Sequence, residues 1–322
     1  MKLYPLKFKP ILKSTIWGGD EITKLKKLPV QDGVGESWEI SDVTNDVSVV
    51  ENGELVGKNL TDLIHLYGAE LLGKDNLEKY KGKFPLLIKF IDAKDDLSIQ
   101  VHPDDELAEK RHNSFGKTEM WYVMSAADDA DLYSGFSQKI TPEEYVERVE
   151  NNTFTDVLQL HEIKAGDVFY LPAGRVHAIR KNTVIAEIQQ TSNITYRIYD
   201  YNRKDALGNS RELHTELAKD AIDYNLYDYK TAYKEEKDTP VKLVDSPYFH
   251  TNLLSLTQTM SRDFSQIDSF VIYICLSGTA TIMDENNATI IIRQGETILL
   301  PATTQSVSIQ CEKDVKMLEV VS

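Results

Sequence analysis

Residues 166–179 read GDVFYLPAGRVHAI, and residues 295–309 read GETILLPATTQSVSI. Each begins with glycine, runs five residues to a proline, turns, and returns along a second apolar-rich stretch. Gly166, Pro172, Gly174 and His177 spell G-x5-P-x-G-x2-H in the first copy. The second copy keeps Gly295 and Pro301, lacks the second glycine, and by spacing has Ser306 where the first has His177. Proline cannot donate to a strand ladder, so it ends each strand, and the residues after it make the turn. A strand–turn–strand unit written twice predicts two related β modules, of which only the first keeps a histidine at its turn.

The pattern from Gly166 to His177 resembles the second signature of the cupin superfamily, small barrels that often hold a metal in the mouth. That resemblance implies a mainly β fold: two cupin-like β-barrels (double-stranded β-helix or jelly-roll) with a few helices attached to the first. Residues 224–242, YNLYDYKTAYKEEKDTPVK, are polar and tyrosine-rich without clean periodicity and read as a connector. The expected division is a catalytic cupin domain with helical insertions over 1–235 and a C-terminal cupin-like β domain lacking metal ligands over 243–322.

Helical signals are few. TDLIHLYGAELLG, residues 61–73, spaces Leu63, Ile64, Tyr67, Leu71 and Leu72 helically, with Thr61 as cap and Gly73 as stop. ITPEEYVERVE, residues 140–150, has Thr141 as cap and Pro142 at the first position. RELHTELAKDAI, residues 211–222, reads as a third helix. The first 60 residues read as irregular structure and short strands. GVG at 33–35 lacks the third glycine and the preceding strand of a nucleotide loop.

With 322 residues the chain has room for two ordinary domains. A formal charge of −15 disfavours nucleic-acid and anionic-membrane surfaces, so an anionic ligand would need a local cluster of Lys and Arg. No apolar run approaches the roughly 20 residues of a membrane span, and the lysine-punctuated start lacks a signal-peptide core. Cys275 and Cys311 sit in apolar strand contexts and read as core residues. The expected location is cytoplasmic.

In LSIQVHPDDELA, residues 97–108, Ser98, Gln100 and His102 alternate with Leu97, Ile99 and Val101, so the three polar residues share one face of a strand. Lys117 and Glu119, two apart in KTEMWYV, share a face of another. Two histidines and a glutamate from separate strands, His102, Glu119 and His177, suit a catalytic zinc site with an open position, and Gln100 could add a neutral oxygen. The same set suits the facial triad of Fe(II) oxygenases, so this spacing supports a metal without choosing it. The histidines at 65, 112, 161, 214 and 250 carry no such pattern.

LSIQVHPDDE, KTEMWYV, LPAGRVHAI and TYRIYDY, with WGG and GESWEI near the N-terminus, together resemble type I mannose-6-phosphate isomerase (phosphomannose isomerase) in its short bacterial form. The likeness runs from about Trp17 to Tyr201 and weakens beyond. It implies a zinc-dependent aldose–ketose isomerase of carbohydrate metabolism, interconverting mannose 6-phosphate and fructose 6-phosphate through a cis-enediol. It places one Zn²⁺ on Gln100, His102, Glu119 and His177, a catalytic Arg197, a catalytic Lys117 beside the metal glutamate, and Ser98 and Lys89 in the substrate pocket. Lys89, Arg197 and Ser98 are the expected phosphate contacts. The extra helical domain of longer members has no room here. The implied partner is a small sugar phosphate, with no nucleic acid or membrane, in a monomer or homodimer. Two rival readings are an Fe(II) cupin oxygenase and a non-catalytic sugar-phosphate-binding cupin.

Overall fold

Leu86–Ala93 shows how the sequence builds the architecture. Leu86, Ile88 and Phe90 point into one apolar cluster, while Ile91 and Ala93 point into another, so this strand is buried on both faces. The protein, described here from a computed structural model, is defined over residues 2–204, 207–228 and 230–322; Tyr229 of the expected connector lies outside the described residues.

In chain order the first half supplies β1 (Ile11–Gly19), β2 (Val34–Ile40), the short β3 (Asp42–Val43) and β4 (Asp46–Val47), β5 (Leu86–Ala93) and β6 (Ile99–Val101). There follow β7 (Glu119–Ala126), β8 (Asp131–Phe136), β9 (Leu158–Glu162), β10 (Val168–Leu171), β11 (His177–Ile179), β12 (Thr183–Gln190) and β13 (Tyr196–Tyr199). They form a six-stranded sheet, β1-β2-β5-β12-β7-β10, facing a five-stranded sheet, β13-β6-β11-β8-β9. Trp17, Ile91, Trp121, Phe169, Leu171 and Ile179 fill part of the space between them.

The second half supplies β14 (Val241–Asp245), β15 (His250–Leu256), β16 (Met260–Asp263), β17 (Val271–Ser277) and β18 (Thr279–Asp284). It ends with β19 (Thr289–Arg293), β20 (Thr297–Leu300), β21 (Ser306–Cys311) and β22 (Val315–Val321). These make a second two-sheet sandwich, β14-β15-β22-β17-β20 over β16-β21-β18-β19, around its own apolar core. Cys275 lies in that core and burial pushes its thiol up to about 12, while Cys311 is half-buried against it. A larger cluster joins the two halves. Leu63, Ile64 and Leu72 sit there between Ile88 and Ile188 of the first barrel and Ile272 and Leu318 of the second.

The order of β10 and β11 repeats in β20 and β21, as the paired glycine–proline stretches predict. The spacing match of His177 with Ser306 does not hold in three dimensions. Ser306 is half-buried opposite exposed Asp263, and the inward position is Val307, packed in the second core. The second turn is one residue longer before its inward side chain, and in a strand one residue exchanges the faces.

Local expectations were corrected at three places. The helix expected from Thr61 is Leu60–Tyr67, capped by Asn59, whose side chain accepts from Asp62 N at 2.7 Å; Thr61 instead bonds Asp42. Gly68 at φ 49° then breaks it from Ala69–Leu72. A helix over Asp105–His112, capped by Asp104, follows the strand that carries Gln100. Only Ala108 of it is buried, so it has no apolar periodicity to announce it. The helix expected from Arg211 starts at Thr215.

Candidate metal centre and substrate cleft

Gln100 sits at the centre of the site because of register. On β6 it pairs with His177 of β11 on one side and with Arg197 of β13 on the other. Residues paired across neighbouring strands share a face, so the three side chains form one row. His102 follows β6, and its carbonyl accepts from Gly174 N at 2.9 Å, tying the Pro-x-Gly turn to the strand end. Gly174 has φ 87°, and a Cβ there would lie 3.0 Å from Ala221 O, which explains the glycine. Lys117 is drawn to the same place by its N–H, which donates to Pro103 O at 3.1 Å. Glu119, two residues on, opens β7.

The nitrogen and oxygen atoms of His102, Glu119 and His177 lie within 4.8 Å of one another, all buried. Backbone carbonyls fix both rings: Nδ1 of His102 meets Ile194 O at 2.8 Å, and Nδ1 of His177 meets Arg175 O at 2.8 Å. A carbonyl only accepts, so each ring carries its proton on Nδ1 and turns the lone pair of Nε2 inward. Burial and the neighbouring Lys117 ammonium keep both neutral, His102 well below its usual range and His177 at about 3. Burial also pushes the Glu119 carboxyl up, against the pull of Lys117.

Nε2 of His177 stands 3.2 Å from Oε1 of Glu119, and that oxygen has no hydrogen-bond partner among the described residues. Two acceptors therefore face each other in a buried space. A cation between them turns this repulsion into attraction, so the donor set fits a metal. Lys117 supplies positive charge beside it, with Nζ 2.9 Å from His102 Nε2 and bonded to Glu119 Oε2. The Gln100 amide reaches His177 Nε2 at 3.3 Å, and a half-turn of that amide presents its oxygen instead.

Above these residues opens a cleft of about 200 Å³ whose lining includes Ser98, Gln100, Lys117, Lys89 and Arg197. One wall is a second row of paired residues across the six-stranded sheet: Trp38, Lys89, Glu187 and Trp121. Lys89 Nζ lies 3.2 Å from Glu187 Oε1, 3.6 Å from Glu36 Oε2 and 5.2 Å from the Trp38 ring centre. Burial alone would discharge Lys89, but Glu36, Glu187 and Glu119 more than offset it and hold its pKa above the ordinary range. Trp121 Nε1 donates to Glu187 at 2.8 Å, and Trp38 Nε1 to Glu36 at 2.6 Å. Arg197 is half-buried: Nη1 donates to Glu212 O at 3.0 Å, while its buried Nε has no hydrogen-bond partner among the described residues.

All eight side chains picked from the sequence therefore meet at one place. Sequence reading missed Trp17, Glu36, Trp38, Glu187 and Arg211, which also line the cleft. GESWEI and WGG were noted as blocks without a role for their side chains. Glu187 carried no signal, because it becomes polar lining only when β12 pairs with β5 and β7.

Residues 6–128 match the model for the catalytic domain of type I phosphomannose isomerase, and residues 239–317 match that for the cupin domain of mannose-6-phosphate isomerase. The chain is 36% identical to a probable mannose-6-phosphate isomerase, GmuF, of Bacillus subtilis, over 93% of this chain and 94% of that one. It is 34% identical to the mannose-6-phosphate isomerase of Streptococcus mutans, over 94% of each. The crystal structure of a mannose 6-phosphate isomerase from Bacillus subtilis superposes with a TM-score of 0.86 at 30% identity, covering 99% of this chain and all (100%) of that one. A zinc-bound holo mannose 6-phosphate isomerase shares the fold with a TM-score of 0.78 at 14% identity, over 99% of this chain and 100% of that one. Through likeness that spans both barrels, the chain belongs to the type I phosphomannose isomerase family.

Proposed function

We propose that this chain interconverts mannose 6-phosphate and fructose 6-phosphate, using one zinc ion held by Gln100, His102, Glu119 and His177. The observation that carries the reading is the buried meeting of His177 Nε2 with Glu119 Oε1 beside His102, a convergent set of acceptors that a metal cation would bind. Family membership favours zinc over iron for this donor set. When bound, the ion supplies fixed positive charge that polarises substrate oxygens.

The other roles belong to side chains. Moving a proton between adjacent sugar carbons through a cis-enediol builds negative charge on two oxygens. In this reading Arg197 meets that charge with its guanidinium, a role supported by its register beside Gln100. Lys117, on the cleft floor against His102 and Glu119, is the catalytic cation next to the reacting carbons. A Lys117→Arg variant separates its two modes: a fixed cation survives the exchange, whereas a proton carrier loses activity along with exchange of the substrate proton into solvent. Ser98 and Lys89 hold the sugar, with Lys89 shared between Glu36 and Glu187 and so suited to hydroxyl groups. The same reading assigns catalysis to a unit spanning 1–235 and a non-metal role to 243–322.

A coupled assay for fructose 6-phosphate tests the proposal. Turnover of mannose 6-phosphate should vanish with chelator and return with zinc. Metal-replete, folded protein that makes no fructose 6-phosphate would contradict it. Exchanging Arg197 for Ala should reduce turnover by about a hundredfold or more while leaving the melting temperature near that of the parent.

A further inference from the structure

We infer that Arg211, clamped by the buried carboxylate of Asp200, anchors the phosphate of the substrate and leaves Arg197 to the reacting oxygens; this rests on the sugar-phosphate reading above. Arg211 lines the same cleft as Ser98, Gln100 and Arg197. It arrives there because its segment does not join the following helix. His214 N donates to Arg197 O at 2.7 Å and Arg197 N donates to His214 Nδ1 at 3.1 Å, so the segment runs along β13, the outer strand of its sheet.

Asp200 is only 5% exposed and grips Arg211 in two places, Nε to Oδ2 at 2.7 Å and Nη2 to Oδ1 at 2.5 Å. A bidentate pair fixes the guanidinium plane and leaves the Nη1 side for a ligand. Arg203 donates to the same carboxylate, with Nη2 2.5 Å from Oδ1. Arg211 and Arg203 thus share one buried carboxylate, with Arg197 lining the same cleft and the Glu212 carboxylate 84% exposed, so among the described residues positive charge is in surplus on this side of the cleft. Arg197 adds a buried Nε–H that nothing among the described residues accepts.

The wall formed by the six-stranded sheet has the reverse balance. Lys89 is matched by two carboxylates, Glu36 and Glu187, so a phosphate dianion placed there would meet net negative charge. In a protein of net charge −15, the arginine side is where such a dianion gains most. Phosphate at Arg211 points the sugar's reacting end towards Gln100, His102 and Lys117, with the Trp38–Lys89–Glu187 wall against its hydroxyls.

The test compares parent, Arg211→Ala, Arg211→Lys and Asp200→Asn, using titration calorimetry with inorganic phosphate and steady-state kinetics with mannose 6-phosphate. Arg211→Ala should weaken phosphate binding and raise KM by roughly tenfold or more, the scale of one charge-assisted contact, far beyond its effect on kcat. Asp200→Asn should shift both constants the same way by less, since it frees the guanidinium without removing it, and Arg211→Lys should recover part of the loss. Parent-like phosphate affinity in Arg211→Ala, or a loss confined to kcat, would overturn the assignment. If the parent binds phosphate through Arg211 yet makes no fructose 6-phosphate, the isomerase reading fails while the anchor stands. If Arg211→Ala does not fold, Arg211→Lys with parent-like phosphate affinity and KM despite a lost bidentate edge counts against the anchor.

Discussion

The two barrels place a buried glutamate at the same point of the same sheet and use it for opposite ends. In the first, Glu187 pairs with Lys89 on one neighbouring strand and Trp121 on the other; in the second, Glu319 pairs with Asn252 and Tyr273. Both aromatic residues donate to their glutamate, Trp121 at 2.8 Å and Tyr273 at 2.9 Å. Glu319 is then closed off, since Arg262 grips both its oxygens at 2.8 Å and Asn252 adds a bond at 3.2 Å. Glu187 instead holds Lys89 at the cleft wall. Two strand positions away the contrast sharpens: Glu119 opens β7 where Val271 opens β17, each opposite a leucine, Leu171 or Leu300. Where His177 faces inward in the first barrel, Val307 does so in the second. One scaffold thus gives a reactive mouth when its inward acceptors are left facing each other, and a plain core when they are paired or replaced by valine.

The largest effect should come from rewriting the first barrel as the second. Glu119→Val should lower turnover by about a thousandfold or more, and should reduce bound zinc to a trace in elemental analysis. A variant that keeps its zinc would break the comparison. Next is the plug of the second barrel. Arg262→Ala leaves Glu319 buried without its cation, so urea unfolding should show a loss of about 3 kcal/mol, while folded molecules keep parent kcat. A stability loss below about 0.5 kcal/mol would mean that the plug is ornamental.

A matched pair sharpens the analogy further. Tyr273→Phe removes a donor from a glutamate that keeps three others and should cost about 1 kcal/mol of stability, with kinetics unchanged. Trp121→Phe removes the corresponding donor in the first barrel, and its effect should appear in KM, through a displaced Glu187 and Lys89, by roughly three- to tenfold. The smallest effect lies outside both barrel interiors. Thr141 caps the helix Pro142–Glu150 by accepting from Glu144 N at 3.1 Å, so Thr141→Ala should cost about 1 kcal/mol by thermal melting and nothing in activity.

What could be read from the sequence had local causes. The glycine–proline spacing marked both barrels, the alternation of Ser98, Gln100 and His102 marked a polar strand face, and Thr141-Pro142 marked a helix start. What escaped depended on partners distant in the chain. Glu36, Lys89 and Glu187 form one ion-paired wall only through the register of β2, β5 and β12. Arg211 looked like the first residue of a helix, because nothing in RELH shows that it will lie against β13. Asn59 outcompeted Thr61 as a cap because Asp42, brought in from the hairpin of β3 and β4, takes the Thr61 hydroxyl. Ser306 looked like the counterpart of His177 until the longer turn exchanged the faces.

The central claim is that the first barrel alone gathers a metal from His102, Glu119, His177 and Gln100. X-ray absorption at the zinc edge, on parent protein and on His177→Ala loaded with one equivalent of zinc, tests it most directly. The account predicts a nitrogen and oxygen shell with the imidazole signature in the parent, and a weaker imidazole signature in the variant. A sulfur shell from Cys275 or Cys311, or a spectrum untouched by His177→Ala, would contradict it.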